Sequence, residues 1–235
     1  MSALQLFCLP HAWGSAAFYR RWSESLPEWI QVRPLELPEP GELAADGRHV
    51  DIDMLVRQLA GELTDAALQP YVLFGHGLGG LLAYELAHRL RLCAAGEPLA
   101  LFVSGVVAPS RCVRHGATEM RTDTWLHAPD EERSDSPLRE VAAAPAELPW
   151  NVGYAYRQRA PLRTSVHVLG RRQGAIRVEA LLEWQRETRG DFSLDLLERH
   201  HFFIQQQEAR TLRLVCRHCE RYLRHWRLDG RRAAG

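Results

Sequence analysis

The run Tyr71-Val72-Leu73-Phe74-Gly75-His76-Gly77-Leu78-Gly79-Gly80 constrains the fold of this chain more than any other segment. Four apolar, β-favouring residues lead into clustered glycines, and an apolar helical run, Leu81–Leu90, follows at once. That order asks for a buried strand turning sharply into a helix. The spacing is that of the G-x-S-x-G turn, which lifts a serine hydroxyl above a sheet. The frame is complete, with glycines two residues either side of the apex. The apex itself is Gly77, which has no hydroxyl, thiol or carboxylate.

Around this turn, β-type runs alternate with helical patterns, the mark of an α/β fold. Strands are expected at Leu4–Leu9, Val32–Leu37, Tyr71–Phe74, Leu99–Ser104, Ser165–Leu169 and Phe192–Leu197. Helices are expected at Ala16–Ser25, Ile52–Ala67, Leu81–Leu92, Ile176–Glu187 and Ile204–Arg224. Right-handed crossovers make the sheet mostly parallel and twisted, with helices on both faces and the strand-to-helix turns along one edge. The stretch 111–156 breaks the alternation: it is polar, acidic around Asp130–Asp135 and Ala/Pro-rich around Val141–Pro149. A segment of that length reads as a lid insertion. The organisation expected is a core of residues 1–110 and 157–227, a lid at 111–156, and a flexible tail at 228–235.

Composition narrows the function classes. The 235 residues fit one α/β domain. All 29 residues of the Lys+Arg count are Arg, balanced by 29 acidic residues. Absence of Lys excludes a Schiff-base lysine, a P-loop lysine and a Ser-Lys dyad. No basic block with interleaved aromatics points to nucleic acid. No apolar stretch approaches the ~18 residues of a membrane span. The N-terminus lacks the charged and apolar regions of a signal peptide, and the five scattered Cys suit a reducing, cytoplasmic setting. Cys216-Arg217-His218-Cys219 is half a zinc motif without its second half, so helix-core contacts are expected there and no metal.

The loop Leu9-Pro10-His11-Ala12-Trp13-Gly14-Ser15-Ala16 follows the first strand and opens a helix. Together with the elbow frame it can supply backbone N–H donors to an oxyanion, from Trp13 or Ala12 and from Leu78. These two segments, with Ala83-Tyr84-Glu85-Leu86-Ala87, Phe102-Val103-Ser104-Gly105, Ala108-Pro109 and His201-Phe202-Phe203, occur in the order of a known family. The chain resembles the stand-alone type II thioesterases of nonribosomal-peptide and polyketide pathways, a branch of the α/β-hydrolase fold. The resemblance spans nearly the whole chain outside a shortened lid. It implies a partner, the acyl or peptidyl carrier domain of a synthase, and a substrate thioester on that domain's phosphopantetheine arm. It implies no separate cofactor.

The resemblance also implies a Ser-Asp-His triad, carried over with three outcomes. The serine position falls on Gly77. The acid positions of a G-G-x-D-D-P-like turn fall on Gln173 and Gly174. The histidine survives as His201, with His200 where the family has an acid. Losing a triad serine or histidine costs roughly 10⁶ in turnover, and a histidine without its carboxylate loses control of its tautomer. Ser15, Ser104 and Cys8 are alternative nucleophiles, none on an elbow; Ser104, ending a strand beside the apex, is the best of them. His76 matches a residue common in the family and is expected to pack behind the apex. His11, Trp125 and Trp150 are pocket candidates, the two tryptophans as lid residues lining an acyl site. Two functions follow: chemistry on carrier-bound thioesters without an acyl-serine, with His201 as base, or a catalytically dead module that binds a carrier or synthase.

Overall fold

The computed structural model describes residues 3–9, 16–37, 49–63, 69–93, 96–112, 120–121, 151–154, 156–172, 176–198 and 206–233. In chain order the elements are β1 (Leu4–Leu9), α1 (Ala17–Arg20), α2 (Trp22–Ser25), β2 (Ile30–Pro34), β3 (His49–Asp51), α3 (Ile52–Leu63), β4 (Tyr71–His76) and α4 (Leu78–Leu90). They continue with β5 (Ala100–Ser104), α5 (Pro109–Cys112), β6 (Met120–Arg121), β7 (Asn151–Gly153), β8 (Ser165–Arg171) and α6 (Val178–Leu182). A 3₁₀ turn, Glu183–Glu187, then leads to β9 (Phe192–Leu197) and α7 (Glu208–Ala233).

Six strands form a wholly parallel sheet in the order β2-β1-β4-β5-β8-β9. Period-two alternation sorts the side chains onto its faces. Phe7, Leu9, Leu73, Leu101, Val103, Val166 and Val168 pack on one side with α3 and α4. Leu4, Leu6, Cys8, Val72, Phe74 and Phe102 pack on the other with Trp22 and with Leu212, Val215, Cys219 and Leu223 of α7. Both faces are covered, so the strands read as continuous apolar runs. Fully burying one such leucine contributes about 1.5–3 kcal/mol, and the sheet holds many of them. The α/β class, the parallel sheet and its helical layers are as the sequence implies.

The differences lie at ends and in short elements. Strand β2 lies two to three residues earlier than expected, at Ile30–Pro34. The single helix foreseen at Ala16–Ser25 is two pieces that meet at Arg21, which bury Tyr19 and Trp22. Helix α4 begins at Leu78 rather than Leu81, because the elbow turn is tight enough for helix to start directly after its apex. Helix α7 runs through Ala233, past Arg224 and into the stretch read as a flexible tail. Arg, Leu and Ala are strong helix formers, and one Gly at 230 does not stop them. Strands β6 and β7 lie in the stretch read as a lid insertion, where no strand was foreseen. They form a separate three-stranded sheet in which β7 pairs with β3 from before α3. Runs of two and three residues are too short for periodicity to reveal, and only long-range pairing defines them.

Candidate active site

Strand order reverses between β1 and β4: β1 leads outward to β2, while β4 leads through β5 and β8 to β9. In open parallel sheets the crevice outside the carboxyl ends at such a reversal is where ligands bind. Leu9 ends β1 there, in register with Gly75 of β4. The Tyr19 hydroxyl donates to the Leu9 carbonyl at 3.2 Å, anchoring α1 to the end of that strand. The elbow rises on the other side of the reversal.

Gly77 stands at the apex with φ 54° and ψ −122°. A side chain in that left-handed region is strained, and glycine holds it without cost. A Cβ built on Gly77 meets nothing within 4 Å, so the space above the apex is open. Gly75 and Gly80 are closely approached. A Cβ on Gly75 would lie 2.1 Å from the Gly79 carbonyl oxygen, and one on Gly80 would lie 2.7 Å from Val106 Cγ1. At Gly75 the strand and the first turn of the helix touch backbone to backbone, so no side chain fits at that position. The Gly77 N–H donates to the Ser104 carbonyl at 2.8 Å, and the Gly80 N–H donates back to the Gly77 carbonyl at 3.0 Å. Leu78 is the first residue of α4, so its N–H has no acceptor within the helix.

His76 and Ser104 form the wall behind the apex. They are register partners on β4 and β5, and His76 Nδ1 lies 3.2 Å from Ser104 Oγ. Gly105, with φ 61°, makes room for the imidazole: a Cβ there would meet His76 Cε1 at 2.7 Å. Ser104 is completely buried. Its hydroxyl faces His76 and its carbonyl holds the apex N–H, which makes it a fastener of the elbow rather than a reachable nucleophile. Cys8 is also excluded as a nucleophile. It is buried in the core, and burial, then the neighbouring Cys219 sulfur, pushes its thiol pKa well up, whereas a reactive cysteine needs a depressed one.

Of the residues singled out in the sequence, the structure brings together Gly77, Leu78, His76 and Ser104. His11, Ala12, Trp13, Ser15, Trp125, Trp150, Gln173, Gly174, His200 and His201 lie outside the described residues. The last pair of the β8–β9 ladder is Arg171 with Leu197, and both parallel strands end on the sheet edge that carries the elbow. In the C-x-x-C pair, Cys219 is buried beside Cys8 and Cys216 is half-buried. No cluster of three metal-ligating side chains occurs among the described residues.

Sequence reading missed a polar cluster beside α4. The Tyr84 hydroxyl donates to Glu187 Oε2 at 2.6 Å, and burial, then this bond, drives the phenol pKa far up. Arg159 Nη2 donates to Glu85 Oε1 at 2.6 Å, and the Tyr154 hydroxyl reaches the same oxygen at 2.9 Å. His88 is buried against the Tyr84 ring with both ring nitrogens unbonded. Beside them a cleft of about 260 Å³ is lined by Ser110, Arg111, Tyr156, Arg159, Glu183 and Glu187, among others. The run Ala83-Tyr84-Glu85 was the available signal, a polar pair inside an apolar helix. Its partners lie about a hundred residues and seventy residues away, so spacing could not reveal them.

Comparison with known proteins matches this arrangement to one family. The thioesterase domain model matches residues 4–223. Thioesterase PikA5 of Streptomyces venezuelae is 30% identical, with 88% of this chain and 77% of that protein covered. Gramicidin S biosynthesis protein GrsT of Aneurinibacillus migulanus is 24% identical, with 91% and 88% covered. Among solved structures, the RedJ thioesterase of the prodiginine pathway in Streptomyces coelicolor superposes with a TM-score of 0.70 at 28% identity, covering 92% of this chain and 90% of that one. The type II thioesterase BorB of the borrelidin biosynthetic cluster gives 0.70 at 28%, covering 92% of each. With its wholly parallel sheet, its elbow at the strand-order reversal and a family match spanning nearly its full length, this chain belongs to the thioesterase family.

Proposed function

We propose that this chain acts on acyl or peptidyl thioesters borne on the phosphopantetheine arm of carrier domains in nonribosomal-peptide or polyketide biosynthesis, by chemistry that forms no acyl-serine. The observation that carries this reading is the main chain at Gly77: elbow geometry is kept, with open space in place of the serine side chain. The relatives, named for gramicidin S, prodiginine and borrelidin biosynthesis, support the pathway class. Backbone N–H groups of Leu78 and of Trp13 or Ala12 hold the carbonyl oxygen, and they stabilise charge only where it develops. His201 is the base. In direct hydrolysis, water's oxygen bonds to the carbonyl carbon as His201 takes its proton. The C–S bond then breaks, and the proton passes to the departing thiolate sulfur. A nucleophile within the tethered chain in place of water gives cyclisation and release, and removal of an α-proton followed by reprotonation of the carbon on its opposite face gives epimerisation. None of the three needs a bound cofactor.

Mass spectrometry of loaded carrier domains, with and without the protein, tests this. Hydrolysis or cyclisation strips the acyl group and yields an acid or a ring, whereas epimerisation leaves the mass unchanged and shows in chiral analysis of the released acyl group. The His201→Ala variant is expected to abolish the change, and loaded carriers that emerge unaltered from the wild-type protein would refute the catalytic reading. The apex without a side chain favours one alternative, a catalytically dead family member that binds a carrier or synthase. On that alternative the complex forms, and His201→Ala alters neither it nor pathway output.

A further inference from the structure

Helix α7 presents a face that the elbow does not use. At 100° per residue, Arg210, Arg213, Arg217, Arg221 and Arg224 fall within an arc of about 80° and form a row about 21 Å long. All five are exposed, opposite Val215 and Cys219, which pack into the core. Arg221 pairs with Asp191 and Arg224 with Glu220. The side chains of Arg210, Arg213 and Arg217 have no ion-pair or hydrogen-bond partner among the described residues.

This row concentrates charge in a chain that is neutral as a whole. The α7 sequence holds eight arginines against three acidic residues, leaving twenty-one against twenty-six elsewhere. Like charges at i,i+4, as at Arg213–Arg217 and Arg217–Arg221, each oppose the helix. Arg210 adds a cation in the first turn, where the helix dipole disfavours one. An external row of carboxylates reverses the sign of all these contributions. The row also begins beside the elbow edge of the sheet. Helix α7 follows the carboxyl end of β9, and Glu208 in its first turn is held by Arg21, between α1 and α2, at 2.5 Å.

We infer that the arginine row of α7 is the docking surface for an acidic helical face of the carrier domain that delivers the thioester, an assignment that rests on the function proposed above. An anionic membrane fits less well, because the apolar side of α7 is packed into the core as far as Leu223, and its exposed apolar side chains, Trp226 and Leu228, lie beyond the arginine row. Nucleic acid fits less well too, since Tyr222, beside the row, is already covered by the Arg221 guanidinium, and the row belongs to a chain without net positive charge.

The test uses the full chain and an apo carrier domain with an acidic helix from the synthase of the same pathway, so that binding is read without chemistry. Affinity is expected to fall with rising salt, and the double reversal Arg213→Glu/Arg217→Glu to weaken it about tenfold or more. Neutral glutamines at both positions are expected to give an intermediate loss, and Arg89→Glu, exposed on α4, none. Circular dichroism of each variant confirms the fold. Affinity unmoved by the reversal overturns the assignment. So does loss, on reversal, of binding only to phosphatidylserine vesicles or only to a random oligonucleotide. If the wild-type chain docks the apo carrier through this row yet leaves loaded carriers unaltered, docking stands and the catalytic reading falls. If loaded carriers react and the reversal changes nothing, the catalytic reading stands and docking falls.

Discussion

A glycine at the apex of a strand-to-helix turn removes the group on which an acyl-enzyme would form, and it also removes the strain of holding a side chain at φ 54°. The two effects separate in Gly77→Ser. A Cβ meets no atom within 4 Å there, so the serine fits, at a backbone cost of about 1–2 kcal/mol. The variant is expected to melt a few degrees lower and to raise thioester hydrolysis only modestly. On the function proposed above, the restored hydroxyl has His201 as its base but no carboxylate at 173 or 174 to set that base's tautomer. Release assays on a soluble acyl thioester, run beside thermal melts, measure both. Full recovery of serine-hydrolase turnover would show that another residue supplies the acid.

At the scale of elements, helix α4 carries the elbow at one end and a buried titratable face further along. Burial, then Arg159 and Arg91, lowers the pKa of His88 to about 3. His167, between β8 and α7, is likewise held at about 3 by burial, then by His218, Arg221 and Arg217. Both are depressed below the unfolded value of 6.5, so the folded state favours the neutral ring. Their contribution is complete above pH 6.5 and is lost as pH falls towards 3, by up to about 1.4 kcal/mol per pH unit for each group. The protein should therefore melt at a nearly constant temperature above neutrality and at progressively lower temperatures below pH 6.5. His88→Leu should flatten part of that decline, because neither ring nitrogen has a hydrogen-bond partner to lose. Removing His167 would also sacrifice its contacts with Ser193 and Tyr222, at 2.7 and 2.9 Å. Melting curves from pH 7.5 to 5 test this, and an unchanged slope for His88→Leu would refute the assignment.

Across the whole molecule, the sheet divides the cysteines by accessibility. Cys8 and Cys219 meet in the core between the sheet and α7, Cys216 is half-buried, and Cys93 is exposed at the end of α4. Among these four, a thiol reagent should label Cys93 first, Cys216 slowly, and Cys8 and Cys219 only when denaturant opens the sheet; mass spectrometry of peptides reads that order. Much of this arrangement was legible from local rules. The strand Leu4–Leu9, the helix beginning at Ile52 and the glycine-walled elbow each follow from side-chain periodicity or from a backbone only glycine permits. That positions 77, 173 and 174 carry Gly, Gln and Gly, with no hydroxyl or carboxylate, could likewise be read residue by residue. What the chain folds into at a distance could not. Fastening of the apex by Ser104, the Tyr84–Glu187 bond, the pairing of β3 with β7 and the convergence of elbow and β1 at a strand-order reversal all join residues far apart in sequence. Local patterns set which face of each element is apolar. Only the packing of those faces against one another decides which polar groups meet.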